Sequence, residues 1–155
     1  MKYLELMINS IIKIWFDEEG IYVQGDDGKT YRQSLLWYDR LRSASEAERG
    51  DYEISSIGIH WPKLDTDISF ESFEYPDAEP TKLQRFFLTH PEINVAGFAK
   101  KFGYNASLIR SYINGFKTPS QAKEAELFKC ISSLGREYIT MYEDYTSDNV
   151  KDQQA

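Results

Sequence analysis

The stretch that decides the fold of the second half is residues 94–120, which read NVAGFAKKFGYNASLIRSYINGFKTPS. A small residue at Ala99 lets two helices approach closely, and Gly103, four positions later, can adopt the left-handed backbone of a tight turn. Asn105 is placed to cap the next helix. The stretch therefore predicts two short helices joined by a sharp turn.

The second of these helices has one apolar and one polar face. Ile109, Tyr112 and Ile113 fall on one side at about 100° per residue. The opposite side carries Ser107, Arg110, Ser111 and Asn114. Short hydroxyl and amide groups with one arginine can meet base edges in a major groove, and Ala106 can touch a thymine methyl. The same face also has a simpler interpretation as solvated surface.

Further polar groups around this helix could contact phosphates. They are the amides that follow Asn94, the lysines Lys100, Lys101 and Lys117, and Ser120 at the next helix start. The predicted DNA-binding set is Asn94, Lys100, Lys101, Asn105, Ala106, Ser107, Arg110, Ser111, Asn114, Lys117 and Ser120.

The run from Phe98 to Ser120 strongly resembles the phage-repressor-like (Xre-type) helix-turn-helix family. The resemblance as a whole covers about 62 residues. The resemblance implies that Asn105–Asn114 is the recognition helix and that Ala106, Ser107, Arg110 and Asn114 are contact positions. Val95 departs from the Gln or Thr that many members have there. The predicted all-α domain spans residues 81–142, with helices at about 81–89, 94–102, 105–114, 119–133 and 135–142, the last two separated by Gly135.

Charge is distributed unevenly along the chain. The net charge is −7, which alone disfavours nucleic acid as a partner. Residues 1–80 hold 8 basic and 17 acidic side chains, residues 81–142 hold 9 and 4, and residues 143–155 hold 1 and 4. The basic middle segment is therefore the candidate for phosphate contact.

The first half, residues 1–76, is expected to be an α+β domain with a mostly antiparallel sheet. Strands are predicted at residues 11–16, 21–24 and 29–33, with turns at Glu19-Gly20 and Asp27-Gly28. Helices are predicted at 35–41 and after Ser45, which opens a Ser-x-x-Glu capping box. Further strands are expected at 52–59 and 68–73. The tryptophans Trp15, Trp37 and Trp61 are interpreted as core rather than as ligand-stacking residues.

The segment GIHWPKLDTDIS, residues 58–69, is the one chemistry-like cluster of the first half. A metal site from His60, Asp65 and Asp67 is conceivable, but carboxylates in a proline-bearing turn more often cap backbone amides. No metal ligand is assigned. With the hairpins and the Asp-Gly turn, this segment resembles the bacterial domain of unknown function DUF2442, over about residues 3–75. Some members are fused to a helix-turn-helix or lie beside toxin-like partners, and the resemblance brings no catalytic residues.

The remaining features of the sequence concern the domain boundary, the C-terminal tail, the single cysteine and the location of the protein. The prolines of residues 75–80 place the domain boundary there, and residues 143–155 are expected to be a disordered acidic tail. Cys130, the only cysteine, is interpreted as a buried hydrophobe. The absence of a signal-like start and of a long apolar run predicts a cytoplasmic protein with no membrane partner.

Three classes of function agree with the sequence to different degrees. The first is a sequence-specific DNA-binding regulator, a homodimer on double-stranded DNA and possibly an antitoxin-like autorepressor, whose first domain binds a partner protein. The second is an interaction adaptor that kept the fold without the DNA contacts. An enzyme is not expected, since neither paired carboxylates nor a glycine-rich phosphate loop is recognisable, and no cofactor is predicted.

Overall fold

The computed structural model describes residues 11–75 and 79–154. The chain divides into two compact units between His90 and Pro91, whereas the sequence predicts the domain boundary at residues 75–80. Within the described residues, no helix is both long and apolar enough to cross a membrane.

The first unit begins with a three-stranded antiparallel meander. Its strands are β1 (Ile11–Phe16), β2 (Gly20–Gly25) and β3 (Thr30–Ser34), in the spatial order of the chain. Asp17 fixes the first turn, because its Oδ1 accepts hydrogen bonds from the amides of Glu19 (2.9 Å) and Gly20 (2.6 Å). Gly28 takes a φ of 79° in the second turn. Both predicted hairpins are confirmed.

A second antiparallel sheet completes this unit. It contains β4 (Glu53–Ile54), β5 (Gly58–Trp61) and β6 (Thr66–Ser69), again in chain order. Gly58 lies against β6 so closely that an added Cβ would be 2.5 Å from the carbonyl oxygen of Ile68. The strand predicted over 68–73 is wrong in its second half, where the backbone of residues 71–74 forms a 3-10 turn.

Short helices lie between and after the sheets. Residues 35–37 form a 3-10 turn, followed by α1 (Asp39–Ser43) and α2 (Glu46–Gly50), so the single helix predicted over 35–41 is broken. Ser45 and Glu48 form the predicted capping box of α2. α3 (Lys82–Thr89) also belongs to this unit, where Arg42 Nη2 donates to the carbonyl oxygen of Leu88 at 3.2 Å.

The core of the first unit is built from both sheets and the short helices. Trp61 is its largest fully buried side chain, and its Nε1 donates to the carbonyl oxygen of Arg49 at 2.9 Å. The other core residues are Ile21, Val23, Leu35, Leu41, Ile59, Ile68, Phe70 and Phe73. The expectation that Trp15 and Trp37 are core is wrong, because both are half-buried and neither belongs to this cluster. Trp15 stacks on Tyr22, its cross-strand partner.

The second unit has three helices within the described residues: α4 (Val95–Phe102), α5 (Ala106–Asn114) and α6 (Gln121–Gln154). The predicted five-helix domain is not found, because α3 lies in the first unit and α6 runs through Gly135. An interior glycine costs a helix about 1 kcal/mol without breaking it. The prediction of a disordered tail over 143–155 is corrected as well, since α6 continues to Gln154.

Candidate nucleic-acid interface

α4 and α5 form a helix–turn–helix pair with the predicted turn. Ala99 is buried between them, and Gly103 ends α4 with a φ of 78°. The amide of Tyr104 donates to the carbonyl oxygen of Ala99 at 2.8 Å, which closes the turn. The close helix approach predicted at Ala99 and the left-handed turn predicted at Gly103 are therefore confirmed.

Tyr104 links this turn to α6. Its hydroxyl donates to Glu126 Oε2 at 3.1 Å. Desolvation, and then this hydrogen bond, raise the pKa of the Tyr104 phenol to about 12. The phenol therefore stays protonated and keeps its hydrogen bond to Glu126 at physiological pH.

Three of the predicted contact residues use their side chains to cap helices. Asn94 Oδ1 accepts from the Gly97 amide at 3.0 Å, and Asn105 Oδ1 accepts from the amides of Ser107 (2.8 Å) and Leu108 (3.3 Å). Ser120 Oγ accepts from the Lys123 amide at 3.1 Å. These side-chain oxygens position the helices, so a direct phosphate bond would have to come from other atoms of the same residues.

Replacing Asn105 tests this capping role. Asn105→Ala is expected to lower the local stability of α5 by about 1 kcal/mol, because two amides at its start lose their acceptor. Native-state hydrogen exchange at the Ser107 and Leu108 amides measures the loss. Ser107→Ala, which removes an exposed hydroxyl that accepts no cap bond, should change exchange by less than about 0.5 kcal/mol. Equal effects of the two substitutions would contradict the assignment of Asn105 as the cap.

The polar face of α5 is divided by its own hydrogen bonds. Ser111 Oγ donates to the carbonyl oxygen of Leu108 at 2.6 Å, and Asn114 Oδ1 accepts from the Phe116 amide at 3.0 Å. Ser107 and Arg110 are exposed, and within residues 11–75 and 79–154 their side chains have no hydrogen bond or ion pair. Ser107 and Arg110 are thus the side chains of this face best able to meet a ligand.

The neighbouring cations also differ in their partners. Lys101 Nζ lies 3.1 Å from Glu137 Oε1, so its charge is partly compensated. Lys100 and Lys117 are exposed, and in the described part of the chain neither forms an ion pair. Ala106, the predicted thymine contact, is half-buried at the start of α5. Lys100 and Lys117 are therefore better placed than Lys101 for phosphate contact.

Phe116 is a candidate that the sequence did not indicate. It follows Gly115, whose φ is 85°, in the loop after α5, and 85% of its surface is exposed. An apolar side chain this exposed beside the polar face can contact base methyl groups or a partner protein. The sequence does hold a signal for it, because Phe116 lies between a glycine and a lysine in a predicted turn, where an aromatic side chain is not expected to be buried.

The conceivable metal residues of the first unit have other partners. His60 Nδ1 is hydrogen-bonded to Asp67 across the β5–β6 pair, and Asp65 Oδ2 accepts from Arg40 at 3.1 Å. The described residues contain no cluster of three or more side chains suited to a metal ion. Cys130 in α6 is half-buried rather than fully buried.

Comparisons with known proteins bear on the first half of the chain. Residues 11–79 match the model of the family described as "Protein of unknown function (DUF2442)", which confirms the predicted resemblance of this half. The match stops before the helical region, where the likeness to phage-repressor-like proteins stays a prediction. No curated protein and no solved structure matches the chain.

Proposed function

We propose that the protein is a sequence-specific DNA-binding regulator of transcription, acting as a homodimer on double-stranded DNA. The observation that carries the proposal is the exposed end of α5, where Ser107 and Arg110 project from a helix held by a tight turn. Guanidinium and hydroxyl groups on such a helix match the donors and acceptors of a major groove.

The charges near α5 favour this assignment. Lys100 and Lys117 flank the face without competing carboxylate partners among the described residues. Phosphate contacts from such lysines fix the position of a recognition helix, while side chains at the groove floor select the sequence. The acidic groups of the second unit are concentrated elsewhere, at residues 137–152 of α6.

The first unit is proposed to bind a protein rather than DNA. Residues 1–90 hold 10 basic and 17 acidic side chains, a local charge of −7 that repels phosphate. In the helical unit the basic part is residues 91–135, which hold 6 basic and 3 acidic side chains. This division of labour fits a bacterial, cytoplasmic, antitoxin-like autorepressor. One chain would then bind a partner protein through its first unit and an operator through its second unit.

Duplex binding and its salt dependence test the proposal. A site is selected from a random duplex pool with the full chain, and its affinity is measured by fluorescence anisotropy from 50 to 200 mM salt, a range chosen to expose counterion release. Affinity should fall on the order of tenfold or more, since each neutralised phosphate releases a counterion. Absence of binding to every duplex at the lowest salt would overturn the proposal.

The alternative is an interaction adaptor that has the helix pair without DNA contacts. The net charge of −7 favours it, and so do the hydrogen bonds that engage Ser111 within α5 and Asn114 with the loop that follows α5. The adaptor predicts no duplex binding at any salt concentration and capture of a protein through Phe116. Duplex binding that depends on α5 excludes it.

A further inference from the structure

α6 carries an apolar stripe that continues past the body of the second unit. Its members are Leu127, Ile131, Leu134, Tyr138, Met141 and Tyr145, at alternating spacings of four and three. This 3.5-residue period keeps side chains on one face over several turns, as in paired helices. Leu127 is buried and Ile131 and Leu134 are half-buried, whereas Tyr138, Met141 and Tyr145 expose 60, 70 and 64% of their surfaces. The stripe is therefore covered at one end and open at the other.

A groove lies beside the open end. It has a volume of about 720 Å³ and is lined on one side by Lys101 of α4 and on the other by the Leu134–Met141 stretch of α6. The groove and the stripe are continuous through Leu134 and Tyr138. A helix laid along the stripe would thus also contact α4.

The distribution of charge indicates which helix can cover the stripe. Residues 91–135 hold 6 basic and 3 acidic side chains, whereas residues 136–155 hold 2 and 5. The open end of the stripe is acidic, and the body to which it is attached is basic. Two copies placed antiparallel bring each acidic end toward the basic body of the other, while parallel copies would set the two acidic ends side by side.

We propose that this surface, residues 134–145 of α6 with Lys101, is an isologous interface that binds a second copy of the chain in antiparallel orientation. Each Tyr138 then packs against Met141 of the other copy, and each Tyr145 against Leu134. Asp144 comes beside Glu137 of the other copy, where Lys101, already bonded to Glu137, offsets one of the two negative charges.

The exposed area agrees with a dimer of this kind. Tyr138, Tyr142 and Tyr145 expose 60, 68 and 64% of their surfaces. At roughly 150–250 Å² for a fully buried aromatic side chain, their exposed parts contribute about half of the ~800 Å² that a standard interface takes from each copy. Soluble monomers rarely expose a continuous apolar patch of this size. The inference rests on the homodimer in the proposed function and assigns its surface.

Sedimentation velocity of the full chain, without DNA, tests the interface. At micromolar concentration, the mass obtained for the wild type from its sedimentation should be twice the chain mass of 18.1 kDa. Met141→Glu with Tyr145→Glu should raise the dimer dissociation constant about 100-fold or more, because four carboxylates would be buried in the two-fold interface. The matched control is Ile139→Glu with Val150→Glu, two apolar residues that are also more than half exposed but lie on the far side of α6.

A monomeric wild type, or equal effects of the two double variants, would overturn the interface. Circular dichroism checks that each variant keeps its helices. Since assembly is measured without DNA, a monomer that still binds duplex overturns this inference alone and leaves the DNA-binding proposal standing.

Single charge reversals test the orientation. Asp144→Lys should lower the dissociation constant at least about threefold more than Glu143→Lys, because it pairs with Glu137 only across an antiparallel interface. Glu143 lies on the far side of the helix and has the same charge, so the pair controls for net charge. Equal effects would exclude the antiparallel arrangement.

Discussion

Arg110→Ala is expected to reduce binding of the selected operator to the level of random duplex DNA. Arg110 is the one arginine on the exposed face of α5, and no acidic partner within the described residues holds its guanidinium. A bidentate contact to guanine provides about 1–3 kcal/mol of discrimination, and a dimer makes it twice. We therefore expect a loss of at least about tenfold on the selected site, measured by fluorescence anisotropy at fixed salt.

Two further variants define what Arg110 does. Arg110→Lys keeps the charge but loses the planar fork, so it should retain random-duplex binding and lose preference for the selected site. If Arg110 instead contacts phosphate, Arg110→Ala weakens all duplexes alike and lowers the salt slope by about 1. Arg85→Ala, an exposed arginine of α3 in the first unit, is the matched control and should leave affinity for DNA unchanged. A wild-type affinity for Arg110→Ala would show that α5 is not a recognition helix.

Trp61→Ala is expected to destabilise the first unit by about 3–5 kcal/mol, as large aromatic deletions in a core do. The side chain is fully buried in β5 between the two sheets, and its loss leaves the carbonyl oxygen of Arg49 without its indole donor. Trp15, Trp37 and Trp61 are all in the first unit. Tryptophan fluorescence in urea therefore follows the unfolding of this unit alone, and Trp15 and Trp37 remain as probes in the variant.

Trp15→Ala provides the comparison for the same residue type. Trp15 stacks on Tyr22 with ring centroids 5.5 Å apart and lies half-buried on the outer face of the first sheet. The stacked pair contributes about 0.5–1.5 kcal/mol beyond the area that it buries, so Trp15→Ala should cost less than Trp61→Ala. A change for Trp61→Ala as small as that for Trp15→Ala would place the core of this unit elsewhere.

Features set by short-range geometry were predictable from the sequence. Asp27-Gly28 defines a hairpin turn, Ser45 with Glu48 a capping box, and Gly103 the turn between α4 and α5, because each depends on a few adjacent residues. The outward position of Trp15 could not be read in this way. Its neighbours alternate as in any strand, and only the pairing of β1 with β2 decides which face is covered.

The errors in the helical region have a different cause. Gly135 was interpreted as a helix end, although its effect on helix stability is small and no proline follows it within the next turns. A helix end at Gly135 divides the apolar stripe from Leu127 to Tyr145 into two parts, so its 3.5-residue period is not recognised from the sequence. The assignment of α3 to the first unit depends on contacts such as that of Arg42 with Leu88, which are remote in sequence. For the candidate site, the sequence identified the face of α5 but not which of its polar groups are already engaged.

The passage of α6 through Gly135 makes the order of residues 136–154 depend on what covers them. Helix formation is cooperative, and a helix in a protein gains most of its stability from packing of its apolar face rather than from propensity. Beyond a glycine, this end of α6 gains little from its own propensity, so folding of the end and burial of the stripe are thermodynamically coupled. Amide protons along 136–154 should exchange in proportion to the fraction of chains in which the stripe is uncovered, which makes this segment an internal reporter of assembly.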